Sequence, residues 1–451
     1  MDFATSLVEG IERYRWSYFE EHEDASMDDR DRDLALKIEQ SLDDLTRCRD
    51  AIGKAEYDFL EGCLRNQGVR PDPEGERCLL RAVKLAPDYV EAWNELGEAL
   101  YKRGDIPGAR DCFETALDKR RNDASLRKLS SVIRRLASET GTGDTPKDRA
   151  RLILQSYQLA KEAKDLQPEN GANWTVYGTA CFVMFFETGQ KDSSRIAEAL
   201  SAYENALKDK MERLNPDLYF NRATALRYEE EYQRALESFH RSFRLDPSLL
   251  IARERLHTLY SYLRRVQETL KKKGGMKSKR LTELVKSLSP GSPSVDQFLG
   301  PYGGGGFRKS PNSEFVPLTY QPSCDQLQSG AVAKGQVIAV RVIALILNEE
   351  DVPYTCCATD AEGSLSVVTI YNISPQFGLV IGQSLAIPEP YYQQVNVHWD
   401  QLNFTFGSIR VQRPEILVVD GRRLNPQRDL ALASLSLDSA PSQDLTSPGQ
   451  S

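Results

Sequence analysis

Between Arg264 and Arg280 the chain sets eight cationic side chains, Arg264, Arg265, Lys271, Lys272, Lys273, Lys277, Lys279 and Arg280, against one carboxylate, Glu268. Such a run suits a solvated helix end, where cations complement the C-terminal dipole, or a nuclear-import signal. It also suits contact with phosphates, with RNA as the natural source. The whole chain has a net charge of −8 and an isoelectric point near 5.4, which excludes a protein whose entire surface grips nucleic acid. Any phosphate contact therefore belongs to a local patch.

No constellation of residues points to catalysis. A Walker A loop, Gly-x-Gly-x-x-Gly after a strand, Gly-x-Ser-x-Gly and His-Glu-x-x-His are all absent. The run Gly303 to Gly306 precedes no phosphate-binding helix and reads as a flexible linker. Cys48, Cys63, Cys78, Cys112, Cys181, Cys324, Cys356 and Cys357 are scattered without Cys-x-x-Cys pairs, and the histidines are His22, His240, His257 and His398. Neither a zinc site nor a disulfide framework is expected, and the thiols read as small hydrophobes in a reducing compartment. The expectation is thus a non-enzymatic protein without metal or cofactor. The first thirty residues are highly charged, and no later stretch approaches ~18 consecutive apolar residues, so neither a secretion signal nor a membrane span is expected.

A chain of 451 residues exceeds what one core organises, so more than one domain is expected. A period near 34 residues organises the first part. Counting Val90 as position 1, Trp93 falls at 4, Leu96 and Gly97 at 7 and 8, Leu100 at 11, Ala109 at 20, Phe113 at 24 and Ala116 at 27. This is the tetratricopeptide pattern. The frame recurs in Gly75, Leu79, Ala82 and Pro87, and in Ser156, Ala160, Ala163 and Pro168. It returns in Trp174, Tyr177 and Gly178 with Ala199, Tyr203 and Ala206. A last unit opens at Pro216, with Tyr219, Arg222 in place of the usual Leu, Ala223, Ala235, Phe239, Ser242 and Pro247. Small residues at 8, 20 and 27 let helices approach closely, and aromatics at 4 and 24 fill the gaps. Stacked copies form a curved solenoid.

Such a solenoid lines its inner groove with positions 2, 5, 9 and 12 of the first helix. In the last unit these are Asp217, Phe220, Thr224 and Arg227, and in an earlier one Ala172, Thr175, Thr179 and Phe182. Peptide capture is the natural use of such a groove. Arg134 falls near position 12 of a degenerate unit and points either into the same groove or, as an ordinary helix arginine, into solvent.

The remaining boundaries follow composition. Residues 1–70 read as an N-terminal helical cap, 71–270 as the repeat array, 271–330 as a basic and Gly/Pro-rich linker, 331–425 as a small β-domain and 426–451 as a disordered tail. The polar stretches Glu139 to Asp148 and Glu187 to Ser194 read as surface insertions. From Val337 onward, β-branched segments such as VIAVRVIALI, LSVVTIYNI and NFTFGSIRV, separated by polar turns, predict five or six short strands closing into an OB-fold-like barrel. Between Val337 and Pro390 the only Arg or Lys is Arg341, against six acids, so the barrel is expected to contact protein rather than track single-stranded nucleic acid.

The segments EAWNELGEALYKRGD, NPDLYFNRATALRYEE, MKSKRL, VTIYNI, GLVIGQSLAIPEP and ILVVDG occur in this order, and together the chain resembles the tetratricopeptide repeat protein 5 family over nearly its whole length. The resemblance implies two roles. One is a ribosome-associated factor near the exit tunnel that recognises the N-terminal Met-Arg-Glu motif of nascent tubulin and, through an adaptor to the mRNA-deadenylation machinery, promotes tubulin mRNA decay. The other is a stress-responsive nuclear cofactor of acetyltransferase coactivators, which implies both cytoplasm and nucleus. It further implies that Asp217 accepts the peptide arginine, that Arg134 pairs with the peptide glutamate, and that Lys277 and Lys279 contact ribosomal RNA. Where the family can add a second acid just after the Leu-Asp-Pro turn, this chain has Ile251.

Overall fold

The computed structural model of the chain describes residues 3–139, 146–190, 192–304, 306–309, 315–349 and 353–431. The core of the Glu139 to Asp148 insertion and the tail from 432 onward lie outside these residues. The chain divides into two compact units, the first ending at Glu254 and the second beginning at Arg255.

The first unit stacks helices α1 (Phe3–Glu21), α2 (Met27–Arg47), α3 (Lys54–Asn66), α4 (Pro73–Leu85), α5 (Val90–Arg103), α6 (Ile106–Lys119), α7 (Asp123–Glu139), α8 (Pro146–Leu166), α9 (Gly171–Glu187), α10 (Ser194–Ala206), α11 (Pro216–Tyr228) and α12 (Tyr232–Leu245), and α13 (Leu250–Lys271) begins in it. Side-chain caps set the starts. The Asp72 carboxylate accepts from the Glu74 and Gly75 amides with Pro73 in the first turn, and Asn215 caps α11 in the same way ahead of Pro216. Gly104, at φ 92°, ends α5 in the left-handed conformation that a residue with a side chain resists.

The expected repeat packing is borne out atom by atom. A Cβ added at Gly97 would lie 2.5 Å from Phe113 Cε1, and one at Gly178 would lie 2.7 Å from Tyr203 Cε1, so in these two units position 8 admits no side chain under the aromatic at 24. The tryptophans at position 4 tie each unit to the one before it. Trp93 Nε1 donates to the Pro87 carbonyl at 2.8 Å, and Trp174 Nε1 to the Pro168 carbonyl at 2.7 Å. Arg222 stands where Leu is usual because Glu204 faces it: its Nη2 reaches Glu204 Oε1 at 2.7 Å, while Nη1 donates to Ser238. Gly62 of α3 packs against Leu79 of α4 as Gly97 packs against Phe113, so close intra-pair packing extends into the region before residue 70. The path of the array also brings α1 against α12.

The second unit contains the rest of α13, then α14 (Ser278–Ser287), α15 (Pro293–Leu299) and strands β1 (Phe307–Lys309), β2 (Phe315–Pro317), β3 (Thr319–Gln321), β4 (Ala331–Val332), β5 (Gln336–Ile346), β6 (Tyr354–Thr359), β7 (Leu365–Ile370), β8 (Ser384–Pro388), β9 (Tyr391–Trp399), β10 (Leu402–Val411), β11 (Val418–Val419) and β12 (Arg422–Arg423). The main sheet runs β12-β11-β8-β5-β6-β7-β10-β9-β4, with β7 and β10 parallel and β3 pairing beside β5.

The sheet is not closed, which corrects the expectation of a closed barrel. Only Glu389, at φ 45°, and Pro390 separate β8 from β9. The first half of that segment pairs with β5 and the second with β10, so a covalent corner stands where a closed barrel would have a hydrogen-bonded seam. Val340, Val342, Cys356, Val368, Leu385 and Ile409 fill the interior. Within 271–330, α14 and α15 bring Leu288, Val295, Leu299 and Tyr302 onto the other face of β5 and β8, against Val337, Ala339 and Ala386. The spacing of those few apolar residues is lost to the eye among the surrounding Gly, Pro and Ser.

Candidate functional site

In the first unit, charged side chains from α1, α5, α7, α11 and the turn after α12 act on one another across the inner side of the array. Arg134 of α7 is half-buried and rests on serines. Its Nη1 donates to Ser156 Oγ at 3.1 Å and to Ser130 Oγ at 3.4 Å, and those two serines join α7 to α8 by reciprocal hydroxyl-to-carbonyl bonds of 2.8 and 2.9 Å. Among the described residues no carboxylate pairs with Arg134. Desolvation lowers its pKa, against the fields of Tyr203 and Tyr101.

Asp217, in the first turn of α11, is open to water and has no cation partner among the described residues. Even so, the surrounding walls restrict its solvation, and desolvation, then Asp246 and Glu212, push its carboxyl up to about 6. The Tyr101 hydroxyl of α5 is raised first by desolvation; Arg135 lowers it and Glu98 raises it, and Arg134 and Asp217 add smaller effects of the same two signs.

Around them the charges are mostly settled. Lys128 Nζ holds Glu98 Oε1 at 2.8 Å and keeps its carboxyl below the ordinary value despite desolvation. Glu95 is raised by desolvation, with Asn66 Nδ2 donating to it at 2.7 Å. Thr175 Oγ1 donates to the buried Glu212 at 2.5 Å. Phe220 and Thr224 are half-buried; Phe220 meets Phe239 edge-on at 5.8 Å, and Thr224 Oγ1 donates back to the Phe220 carbonyl. Arg227 is half-buried one turn further along. Thr175, Thr179 and Phe182 are buried in helix packing rather than lining open space. Ile251 is half-buried in α13. The phase rule that singled out Asp217 also selects Glu98 and Tyr101 at positions 9 and 12 of the unit starting at Val90. Asp246 had no such signal, since it does not lie on a first helix of a clear repeat.

The basic strip belongs to the second unit. Lys271, Lys272, Lys273, Lys277, Lys279 and Arg280 are all exposed, and Lys277 and Lys279 have no carboxylate partner among the described residues. The turn that carries them is fastened to the sheet. Gly274, at φ 64°, sits so close to β5 that a Cβ there would lie 2.9 Å from both the Ile343 carbonyl oxygen and Ala344 Cβ. Arg265 pairs with Glu349 and donates to the Leu347 carbonyl, so it is withdrawn from the strip.

Asp58, Glu61 and Cys78 bring possible metal-ligand atoms within 4.8 Å of one another, but they do not fit a metal. Arg81 already supplies the cation, with Nε 3.1 Å from Asp58 Oδ1 and Nη2 3.0 Å from Cys78 Sγ, and burial pushes the Cys78 thiol up to about 12.

An α-helical repeat array followed by an OB-fold domain, with charges displayed on the array's inner side, defines an adaptor built for protein interaction. The family model "Tetratricopeptide repeat" matches residues 73–125 and 190–249, and "Tetratricopeptide repeat protein 5 OB fold domain" matches 322–433. The chain is 36% identical over 439 residues to tetratricopeptide repeat protein 5 of Homo sapiens, covering 96% of this chain and 95% of that one, and 35% identical over 440 residues to that of Mus musculus, with the same coverage. The chain belongs to the tetratricopeptide repeat protein 5 family. Proteins with such arrays are typically non-catalytic scaffolds, and no catalytic family is indicated. Among solved structures, the APC/C hetero-tetramer Cut9-Hcn1 aligns with a TM-score of 0.40 at 16% identity, over 50% of this chain and 39% of that one. A thermophilic repeat protein of Thermus thermophilus aligns with a TM-score of 0.37 at 16% identity, over 46% and 98%.

Proposed function

We propose that this chain is a non-enzymatic adaptor that reads the N-terminal Met-Arg-Glu motif of nascent tubulin at the ribosome and promotes decay of tubulin mRNA through an adaptor to the deadenylation machinery. The observation that carries the reading is a pair of opposite charges with no ionic partner among the described residues: Arg134, held by the Ser130 and Ser156 hydroxyls, and Asp217 in the first turn of α11. A peptide with adjacent arginine and glutamate supplies what each lacks, as charge-assisted hydrogen bonds in a poorly solvated setting. Phe220, Thr224 and Arg227 extend the same surface along α11, and the exposed Lys277 and Lys279 supply a docking strip for ribosomal RNA. The reading places the protein in the cytoplasm, with a nuclear pool if it also serves acetyltransferase coactivators.

The experiment is binding of a fluorescent peptide beginning Met-Arg-Glu to the full chain and to its Arg134→Ala and Asp217→Ala variants. Binding that disappears in both supports the reading. A folded wild-type protein that ignores the peptide overturns it and favours the nuclear cofactor role.

A further inference from the structure

The basic strip of the second unit has an apolar neighbour. Between β7 and β8 the chain turns sharply from Val380 to Gln383. The Val380 amide donates to Gln383 Oε1 at 2.7 Å, the Gln383 amide donates back to the Val380 carbonyl at 3.0 Å, and Gly382 takes a φ of 99°. Leu379, one residue earlier, is buried in the interior of the sheet, and its amide donates to the Tyr354 hydroxyl at 3.0 Å. The turn is thus fixed at its base, and it holds Val380 and Ile381 outward, 65% and 43% exposed. Turn tips ordinarily carry Gly, Asn, Asp, Ser or Pro, and two β-branched aliphatics there keep apolar surface in water. The same turn meets the strip. A Cβ at Gly382 would lie 3.6 Å from Arg280 Nη2, and the Gly382 amide donates to the Val342 carbonyl of β5 at 2.7 Å, one residue from the Ile343 carbonyl against which Gly274 sits. Val380 and Ile381 therefore stand beside the exposed cations Lys271, Lys272, Lys273, Lys277, Lys279 and Arg280.

We propose that this rim is a peripheral binding surface for an anionic lipid membrane, in which the six cations meet acidic headgroups while Val380 and Ile381 enter the boundary of the acyl chains. A cationic strip alone suits RNA as well as lipid. RNA, however, offers nothing to a pair of protruding aliphatic side chains, whereas a bilayer presents anions and hydrocarbon in successive layers. Charge attraction and apolar burial are the two signals that together hold a protein at a membrane surface. Five of the six cations are lysines, flexible point charges that follow mobile headgroups. The apolar pair protrudes from a turn, which fits a deformable layer. Lipid and ribosomal RNA share Lys277 and Lys279, so occupancy by one excludes the other.

The test is co-sedimentation of the full chain with phosphatidylcholine vesicles, with and without about 30% phosphatidylserine. Binding of a ribosomal RNA fragment is measured beside it, in wild type, in Val380→Ser with Ile381→Ser, and in Lys277→Glu with Lys279→Glu. The wild type is expected to bind only the phosphatidylserine vesicles, and less tightly as salt rises. The serine variant should lose about tenfold in vesicle affinity, the scale of two partly inserted aliphatic side chains, and keep its RNA affinity within about twofold, which also shows that it is folded. The glutamate variant should lose both. A wild type that binds RNA and ignores the vesicles overturns this inference alone. A serine variant that binds vesicles as the wild type does also overturns it, since the surface is then a general polyanion patch. A serine variant that melts like the wild type yet loses RNA and vesicles together places the turn in the RNA contact and overturns it as well. A wild type that binds neither RNA nor vesicles overturns the docking strip and this inference with it.

Discussion

Arg134 on α7 donates through Nη1 to the Ser156 hydroxyl of α8 at 3.1 Å, while Asp217 stands open to water in the first turn of α11. Neither has an ionic partner among the described residues, so both keep their charge available to a ligand. The consequences can be measured.

Ligand affinity should depend on pH through Asp217. Desolvation, then Asp246 and Glu212, push its carboxyl up to about 6, and a bound cation lowers it, so binding releases a proton near neutrality. Affinity for an arginine-bearing peptide should be full above pH 7 and fall about tenfold by pH 5; Asp217→Asn should flatten that profile. The sign for stability is opposite. The folded pKa is raised above the ordinary 3.8, so this group's contribution is greatest below that value and is lost as pH rises through about 6. Titration calorimetry in buffers of differing ionisation enthalpy would detect the released proton.

Gly97→Ala should destabilise the repeat unit by about 1–3 kcal/mol, because the new methyl group overlaps the Phe113 ring and the helices must part. Gly10→Ala provides the contrast. Nothing lies within 4 Å of a Cβ there, and inside α1 it should stabilise by about 0.4–1 kcal/mol. Denaturant melts of both variants would decide.

Lys277→Glu with Lys279→Glu should leave the fold unaltered, since both side chains are exposed and have no carboxylate partner among the described residues. Binding to a polyanion such as ribosomal RNA should weaken, and the logarithmic salt slope should fall by about 1 for each phosphate that is no longer neutralised. An unchanged slope would remove the strip from any phosphate-binding role.

Gly274→Ala retains every positive charge but puts a methyl group into the backbone of β5, at a φ that disfavours side chains. It should release the turn, raising tryptic cleavage at Lys271 to Lys273 and reducing polyanion affinity with no change in charge. Cleavage at the wild-type rate would show that the turn is not fastened there.

The array was legible because tetratricopeptide packing requires particular residue sizes at particular positions: Gly97 under Phe113 and Gly178 under Tyr203 leave a periodic trace. Gly62 under Leu79 obeys the same geometry without the aromatic, so it left a weaker one. Strands such as β5 and β10 were visible through β-branched runs, whereas α15 was hidden in a Gly- and Pro-rich segment because a seven-residue helix buries only two of its side chains.

By itself, the sequence determined the class of architecture, the phase of the repeats, the acid at Asp217 and the density of cations after Arg264, because each is a matter of residue type and interval. Tertiary structure alone decided that Arg134 has no ionic partner among the described residues and that Arg30 reaches Asp246 from the first hairpin to the last repeat. Those relations depend on how far the superhelix turns with each repeat. That small rotation comes from the packing of many side chains, and no single residue or interval records it.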